Sequence, residues 1–223
     1  MVTAKELAAL EAARLVTAQK PRSLGLGTGS TAEIFIRALA RGKFGGTCLP
    51  TSEKSAALAK QLGLRVASPM ELTSTELAVD GADHVFRMGP KLVAIKGYGG
   101  ALFREKLVAS NAGKFYIMVD EGKLEKKDFL IPVEVPRFAR EFVLGRLGDA
   151  GFEPGLREKE GKAFVTDNGN FILDIPMKKG SEARLPKLEL ELKQMTGVLE
   201  TGIFTKIDLV IVGKADGTVK HHS

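Results

Sequence analysis

An apolar strand-like run, Ser23–Leu26, passes into an amphipathic run, Thr31–Ala40, through Gly25-Leu26-Gly27-Thr28-Gly29-Ser30-Thr31. Three glycines in five positions let a backbone approach a ligand with no Cβ in the way. Free N–H groups at a helix N-terminus, flanked by the hydroxyls of Thr28, Ser30 and Thr31, form a socket for a phosphate or carboxylate. A chain built this way must deliver a strand's carboxyl end onto a helix start, which favours an α/β fold. Two nucleotide motifs fit poorly. No lysine precedes Ser30, as a P-loop requires. Serine stands at position 30, where the dinucleotide fingerprint has its third glycine, and the second strand, Thr47–Leu49, runs into Pro50-Thr51-Ser52 rather than an acid. Simple turn geometry remains the alternative to ligand binding. The hydroxyls of both turns favour a small phosphorylated ligand.

The alternation continues to about residue 120. Strand-like runs fall at Ser23–Leu26, Thr47–Leu49, Arg65–Ala67, Leu77–Val79, Leu92–Ile95 and Phe115–Val119. Helical runs fall at Thr31–Ala40, Ser52–Leu62 and Ala101–Ser110, and Thr3-Ala4-Lys5-Glu6 has capping-box spacing. This predicts a mostly parallel sheet with helices on both faces, with ligands beyond the carboxyl ends of its strands. Near Pro132 the rhythm changes to strand, helix, a short strand pair, strand, helix, strand (the last over Val198–Phe204). That is a smaller ferredoxin-like α/β unit with an extra hairpin strand. The expected domains are 1–130 plus 205–223, with the tail returning to the first sheet, and 131–204.

Composition narrows the partners. A net charge of +6 suggests nucleic acid, but basic residues alternate with acids and aromatics are only 6%, so no basic stripe with stacking rings is present. No apolar run is long enough to span a membrane. The single cysteine, Cys48, lies in a predicted strand and reads as a buried hydrophobe in a reducing, cytoplasmic setting. Three histidines, two of them at the tail, give no metal-ligand cluster, and His84 reads as a surface or cleft residue. Neither a metal nor a cofactor is expected.

Four further features can carry chemistry. Asp80-Gly81-Ala82-Asp83 ends a predicted strand, and its paired acids either form an Asx-type turn or hold sugar hydroxyls and move protons. Ile95-Lys96-Gly97-Tyr98-Gly99-Gly100 is a second glycine turn, opened by a lysine. On the helix that follows, Glu105 falls between Ala101 and Ala109 on an apolar face. A carboxylate there needs a partner, or serves as a general base raised by desolvation. Lys123 follows the next strand and on its own reads as a solvated lysine. The hydroxyls of Thr51, Ser52 and Ser55 either cap a helix or face a ligand. The set suits proton transfer next to a carbonyl.

These blocks, with Thr166–Asn170 and Gly197–Phe204, resemble ribose-5-phosphate isomerase of the A type over nearly the whole chain. The resemblance implies an α/β fold, a Rossmann-like mostly parallel sheet domain with a smaller ferredoxin-like α/β lid domain, in a cytoplasmic homodimer or homotetramer that interconverts ribose 5-phosphate and ribulose 5-phosphate in the pentose phosphate pathway, without cofactor. By resemblance Glu105 is the proton-shuttling base, and Asp80 and Asp83 handle substrate hydroxyls and ring opening. Lys96 with Gly97, Tyr98 and Gly99 stabilises the enediolate. Thr28, Gly29, Ser30, Thr31, Gly81, Ala82 and Lys123 are substrate-binding positions. Tyr98 stands where the family usually has glycine, and His84 where an acid commonly follows. Ala8 stands where some members place a phosphate-side lysine, with Lys5 one turn away. A related sugar-phosphate or CoA enzyme and a non-catalytic phosphosugar sensor are the competing readings.

Overall fold

The computed structural model describes residues 2–125 and 127–223. In chain order it begins with α1 (Ala4–Gln19), β1 (Ser23–Leu26), α2 (Ser30–Arg41), β2 (Thr47–Pro50), α3 (Glu53–Gln61), β3 (Arg65–Val66) and β4 (Thr75–Asp80). Next come β5 (His84–Met88), β6 (Lys91–Ile95), α4 (Leu102–Ser110) and β7 (Ala112–Asp120). Then follow β8 (Phe129–Val135), α5 (Arg140–Asp149), β9 (Gly155–Leu156), β10 (Glu158–Lys159), β11 (Lys162–Ala163), β12 (Phe171–Met177) and α6 (Leu185–Lys193). The chain closes with β13 (Glu200–Thr201), β14 (Ile203–Phe204), β15 (Leu209–Gly213) and β16 (Val219–His222). Two compact units result: residues 1–82, 107–124 and 206–223 form one, and 83–106 with 125–205 the other.

The first unit holds a seven-stranded sheet ordered β3-β2-β1-β4-β7-β15-β16. All its pairings are parallel except the one between β15 and β16. Excursions from β1 run outward to β2 and β3, and the chain then returns to the other side of β1 as β4. The order reverses between β1 and β4, and in such sheets the crevice at this point takes the ligand. The reason for the wrapping is apolar. Leu24, Leu26, Leu77, Val79 and Met118 of the strands pack with Ala8, Ala12, Val16, Phe35, Ile36 and Leu39 of α1 and α2 in one buried core. Alanines on α1 let it lie close, and a Cβ at Gly213 would come within 2.8 Å of the Ala4 carbonyl carbon. Thr3 caps α1 through the expected capping box. Cys48 is buried in this core, and burial pushes its thiol up to about 12, so it packs as a hydrophobe.

The second unit contains a four-stranded antiparallel sheet ordered β13-β8-β12-β9. That is the strand order of a ferredoxin-like βαββαβ unit, with β10–β11 as the additional hairpin. Its core gathers Ile131, Val133, Val135, Leu173 and Ile175 from the sheet with Val143, Leu147, Leu185, Leu188 and Leu192 from α5 and α6. A second, three-stranded sheet, β14-β6-β5, adds Phe86, Val93, Ile95 and Ile203 to the same core. From sequence alone, residues 83–106 belong to the first domain and His84–Met88 carries no strand. In the structure residues 84–95 form a hairpin whose Phe86, Val93 and Ile95 side chains belong to the second core. The expected single strand over Val198–Phe204 is instead broken at Gly202. There the chain passes from β13, paired with β8, to β14, paired with β6. A Cβ at Gly202 would lie 2.7 Å from Pro132 Cδ, so only glycine fits the crossing. Among the described residues, no helix is long and apolar enough to cross a membrane.

Candidate active site

In the first unit the β1–α2 turn is held from below by its neighbours at the sheet's carboxyl edge. Gly27 N–H donates to Val79 O (3.0 Å), and the Thr28 and Gly81 amides donate to Asp80 Oδ1 (3.0 and 2.7 Å). Asp80, only 3% exposed, thus ties the turn after β1 to the turn after β4. Thr28 Oγ1 pairs with Thr51 Oγ1 at 2.8 Å, Thr51 Oγ1 donates to Leu26 O, and Ser55 Oγ donates to Gly27 O. Ser52 caps α3 by accepting from Ser55 N. The hydroxyls of Thr51, Ser52 and Ser55 are therefore buried and bonded to protein. Exposed Gly29, with φ of 104°, starts α2 without a side-chain cap, followed by exposed Ser30 and half-buried Thr31. Such an open helix N-terminus with flanking hydroxyls favours an anion. Gly81 lies against Thr31, since a Cβ there would be 3.8 Å from Thr31 Cβ. Ala82 continues the β4 turn. Half-buried Lys123 lies in the 3₁₀ turn after β7, the strand next to β4. Ala8 is fully buried in the apolar core.

In the second unit Lys96 follows β6 and Glu105 sits in the first turn of α4. Their side chains are 3% and 4% exposed, with Nζ 3.3 Å from Oε2. Lys96 is the partner that a carboxylate on an apolar helix face demands. The lysine is fixed at its root by its N–H bond to Gly202 O (2.9 Å), and its ammonium lies 5.5 Å from the centroid of the Phe204 ring. Gly97 and Gly100 adopt φ of 102° and 88°, which glycine tolerates without strain. Asp83 Oδ2 accepts from the Tyr98 amide (3.0 Å), so this acid caps the glycine turn, and one of the three amides expected to face a substrate oxyanion is already engaged. Tyr98 Oη accepts from Leu130 N at 2.8 Å and lies 3.3 Å from Leu130 O. Burial, outweighing the Leu130 contact, raises the phenol above its ordinary value. Tyr98 is thus a strut to β8. His84 is buried (4% exposed) among Phe86, Tyr98 and Phe129, with ring centroids 5.8–6.0 Å away. The expectation of a surface or cleft histidine is thus corrected; strand β5 turns it into the aromatic core. Among the described residues, no cluster of three or more His, Cys, Asp or Glu is arranged for a metal ion.

Residues 47–217 match the family model of ribose 5-phosphate isomerase A (phosphoriboisomerase A). The chain belongs to the ribose 5-phosphate isomerase A family. It is 41% identical over 222 residues to ribose-5-phosphate isomerase A of Thermomicrobium roseum, covering 96% of this chain and 91% of that one. The solved ribose 5-phosphate isomerase A of Methanocaldococcus jannaschii superposes with a TM-score of 0.87 at 39% identity, over 97% of this chain and 96% of the other. A D-ribose-5-phosphate isomerase in complex with phospho-erythronic acid gives 0.87 at 36% identity with the same coverage.

Within this isomerase family member, sequence reasoning missed three supporting groups. Glu134, fully buried, accepts at Oε1 from Thr166 Oγ1, Asn168 Nδ2 and Asn170 Nδ2 (2.9–3.0 Å). The same loop takes Arg104, beside Glu105, through Asn168 Oδ1 (2.8 Å) and Asp167 O (3.0 Å). The available signal was a lone glutamate in the apolar run Phe129-Leu-Ile-Pro-Val-Glu134-Val135. The second group is the ion pair of Arg157 with Asp174. The third is Lys106, buried, which bonds Glu189 Oε1 (2.8 Å), Thr201 Oγ1 (3.2 Å) and Ile203 O, and lies 3.2 Å from Glu200 Oε1. It fastens α4 to α6 and to β13–β14.

This last network predicts an acid limit to stability. Burial pushes the Glu200 carboxyl up, but the Lys106 ammonium, Lys193 and the Thr201 amide outweigh it and leave it below the ordinary 4.5. A depressed carboxylate contributes stability that is full above its unfolded value and lost as pH falls through the lower folded one. The thermal midpoint should therefore decline below about pH 4.5, and Glu200→Gln should flatten that decline. Melting curves from pH 7 to 3 check this. Superimposable acid limbs for the two proteins would sink the assignment.

Proposed function

We propose that the chain interconverts D-ribose 5-phosphate and D-ribulose 5-phosphate by proton transfer through an enediolate, in the non-oxidative pentose phosphate pathway. The carrying observation is the buried Lys96–Glu105 pair beside a glycine turn. An aldose–ketose interconversion needs one base that takes a proton from C2 and returns it to C1, and a fixed positive charge facing the oxygen that becomes negative. Glu105 takes the C2 proton. The C1 carbonyl oxygen gains charge, and Lys96 with the free amides of the 97–99 turn faces it. Return of the proton to C1, with the hydroxyl proton passing from O2 to O1, completes the ketose with no change in overall oxidation level.

The remaining roles follow the chemistry of each group. The α2 start, Thr28 to Thr31, and Lys123 hold the phosphate by amides, hydroxyls and charge. Asp80 and Asp83, besides capping their turns, accept from sugar hydroxyls and assist ring opening; Gly81 and Ala82 supply close backbone. The phospho-erythronic acid bound by a relative supports the reading. It carries a phosphate and, at its other end, a carboxylate whose shared charge resembles an enediolate. We assign a cytoplasmic homodimer or homotetramer. The exposed rings of Phe138 and Phe142, 6.0 Å apart, offer an apolar face for association, and sedimentation velocity measures the stoichiometry.

The deciding experiment is a coupled isomerase assay on the purified chain in excess chelator, run in parallel in deuterated water. Turnover of ribose 5-phosphate undiminished by chelator, with solvent deuterium entering the sugar, is the expected result. Binding without deuterium entry would make the protein a phosphosugar sensor.

A further inference from the structure

We infer that Arg157, held by Asp174, is a positioning residue that sets the peptide planes of the Lys96–Gly100 turn; this rests on the proposed reading of that turn as the oxyanion-stabilising element. Arg157 lies between β9 and β10, at the root of the hairpin that the ferredoxin-like core does not require. Its backbone is pinned on both sides, with its N–H on Ile172 O (2.8 Å) and its carbonyl accepting from Phe164 N (2.8 Å). The guanidinium meets Asp174 as a fork, Nε to Oδ2 at 2.8 Å and Nη2 to Oδ1, and both side chains are nearly buried. Its remaining nitrogen, Nη1, donates to Gly97 O (2.7 Å) and Tyr98 O (3.2 Å). Phe164, from the other root of the same hairpin, presses its ring against Gly100 where a Cβ would sit.

The consequence follows from peptide geometry. In a trans peptide the C=O and the next N–H point in opposite directions. Holding Gly97 O toward Arg157 therefore turns the Tyr98 N–H to the other side, where it meets Asp83 Oδ2. Holding Tyr98 O toward Arg157 likewise turns the exposed Gly99 N–H away from the guanidinium. A turn with three glycines has little intrinsic preference against flipping these planes. A flipped Tyr98–Gly99 peptide would present a carbonyl oxygen to an enediolate where an amide should stand, replacing attraction by repulsion. One arginine, with five donors in a rigid fork, can satisfy an aspartate and two carbonyls at once, and a lysine cannot.

The test compares Arg157→Ala and Arg157→Lys with the wild type, with folded fraction measured by circular dichroism. Both should lose about 10- to 100-fold in kcat, somewhat less than removal of an oxyanion donor itself. KM should move by less than about threefold, because the contact acts mainly in the transition state. Affinity for phospho-erythronic acid should fall with kcat, inhibition by inorganic phosphate should not, and added guanidinium should restore part of the Arg157→Ala activity. If a folded Arg157→Ala, or Arg157→Lys should the alanine variant not fold, keeps kcat within about twofold of wild type, the inference is overturned. A loss lying wholly in KM or in folded fraction overturns it equally. A wild-type chain that does not isomerise ribose 5-phosphate would instead overturn the reading of the site. Full Arg157→Ala activity alongside an inactive Glu105→Gln would leave that reading standing and remove only the inference.

Discussion

Glu105→Gln should lower isomerase turnover by about 10²–10⁴-fold or more, the range for loss of a positioned base. The amide keeps the size and burial of the carboxylate but cannot accept the C2 proton. Substrate binding should survive, since the start of α2, the proposed phosphate site, belongs to other residues. Stability should fall as well. The carboxylate faces Lys96 at 3.3 Å with both side chains almost fully buried, and removing one member of such a pair costs about 3–5 kcal/mol. The two effects separate in a double variant. Lys96→Met with Glu105→Leu should recover much of the stability, because an apolar pair can replace a buried ion pair, while activity stays lost. Thermal melts and steady-state rates on the wild type and the two variants decide it. Near-wild-type turnover by Glu105→Gln would remove Glu105 as the base, whatever its stability.

Gly27→Ala is the second large expected effect, and it needs no catalytic assumption. The Gly27 backbone is in an ordinary conformation, so the penalty is purely steric. An added Cβ would overlap the Asp80 carboxylate and lie 2.6 Å from Asp80 Cα. A side chain could swing aside, but a strand backbone held by the Gly27 N–H to Val79 O bond cannot. We expect a loss of about 3 kcal/mol or more, at the upper end of overpacking costs. KM should also rise, because the bond from Thr28 N–H to Asp80 sets the start of α2. Gly45→Ala, where a Cβ meets nothing within 4 Å, is the control and should change stability by less than about 0.5 kcal/mol. Equal melting temperatures for the two variants would show that β1 and β4 do not approach as closely as described.

Much of this was legible in the chain. Strand–helix alternation, the capping box at Thr3 and the glycine turns were readable because their causes act within a few residues. The apolar face around Glu105 announced a buried carboxylate for the same reason. The resemblance then tied Glu105, Lys96, Asp80 and Asp83 to one chemistry. Where local cues were shared between structures, the reading stayed open or failed. Ser52 caps a helix whether or not a ligand is near. His84-Val85-Phe86 reads as a short apolar run, and only its pairing with β6 shows that the histidine points into an aromatic core.

By itself the sequence determined most of the order of elements, the two glycine turns and the residue types able to move a proton. Their pattern is carried by side-chain periodicity and by the backbone freedom of glycine. Tertiary structure decided what holds those turns in place. Asp80 reaches Thr28 across 52 positions, Arg157 reaches Gly97 across 60, and Lys106 reaches Thr201 across 95. Several of these bonds end on backbone amides or carbonyls, which nearly every residue possesses. No choice of amino acid at the receiving end marks them, so only the folded chain reveals which carbonyl an arginine will find.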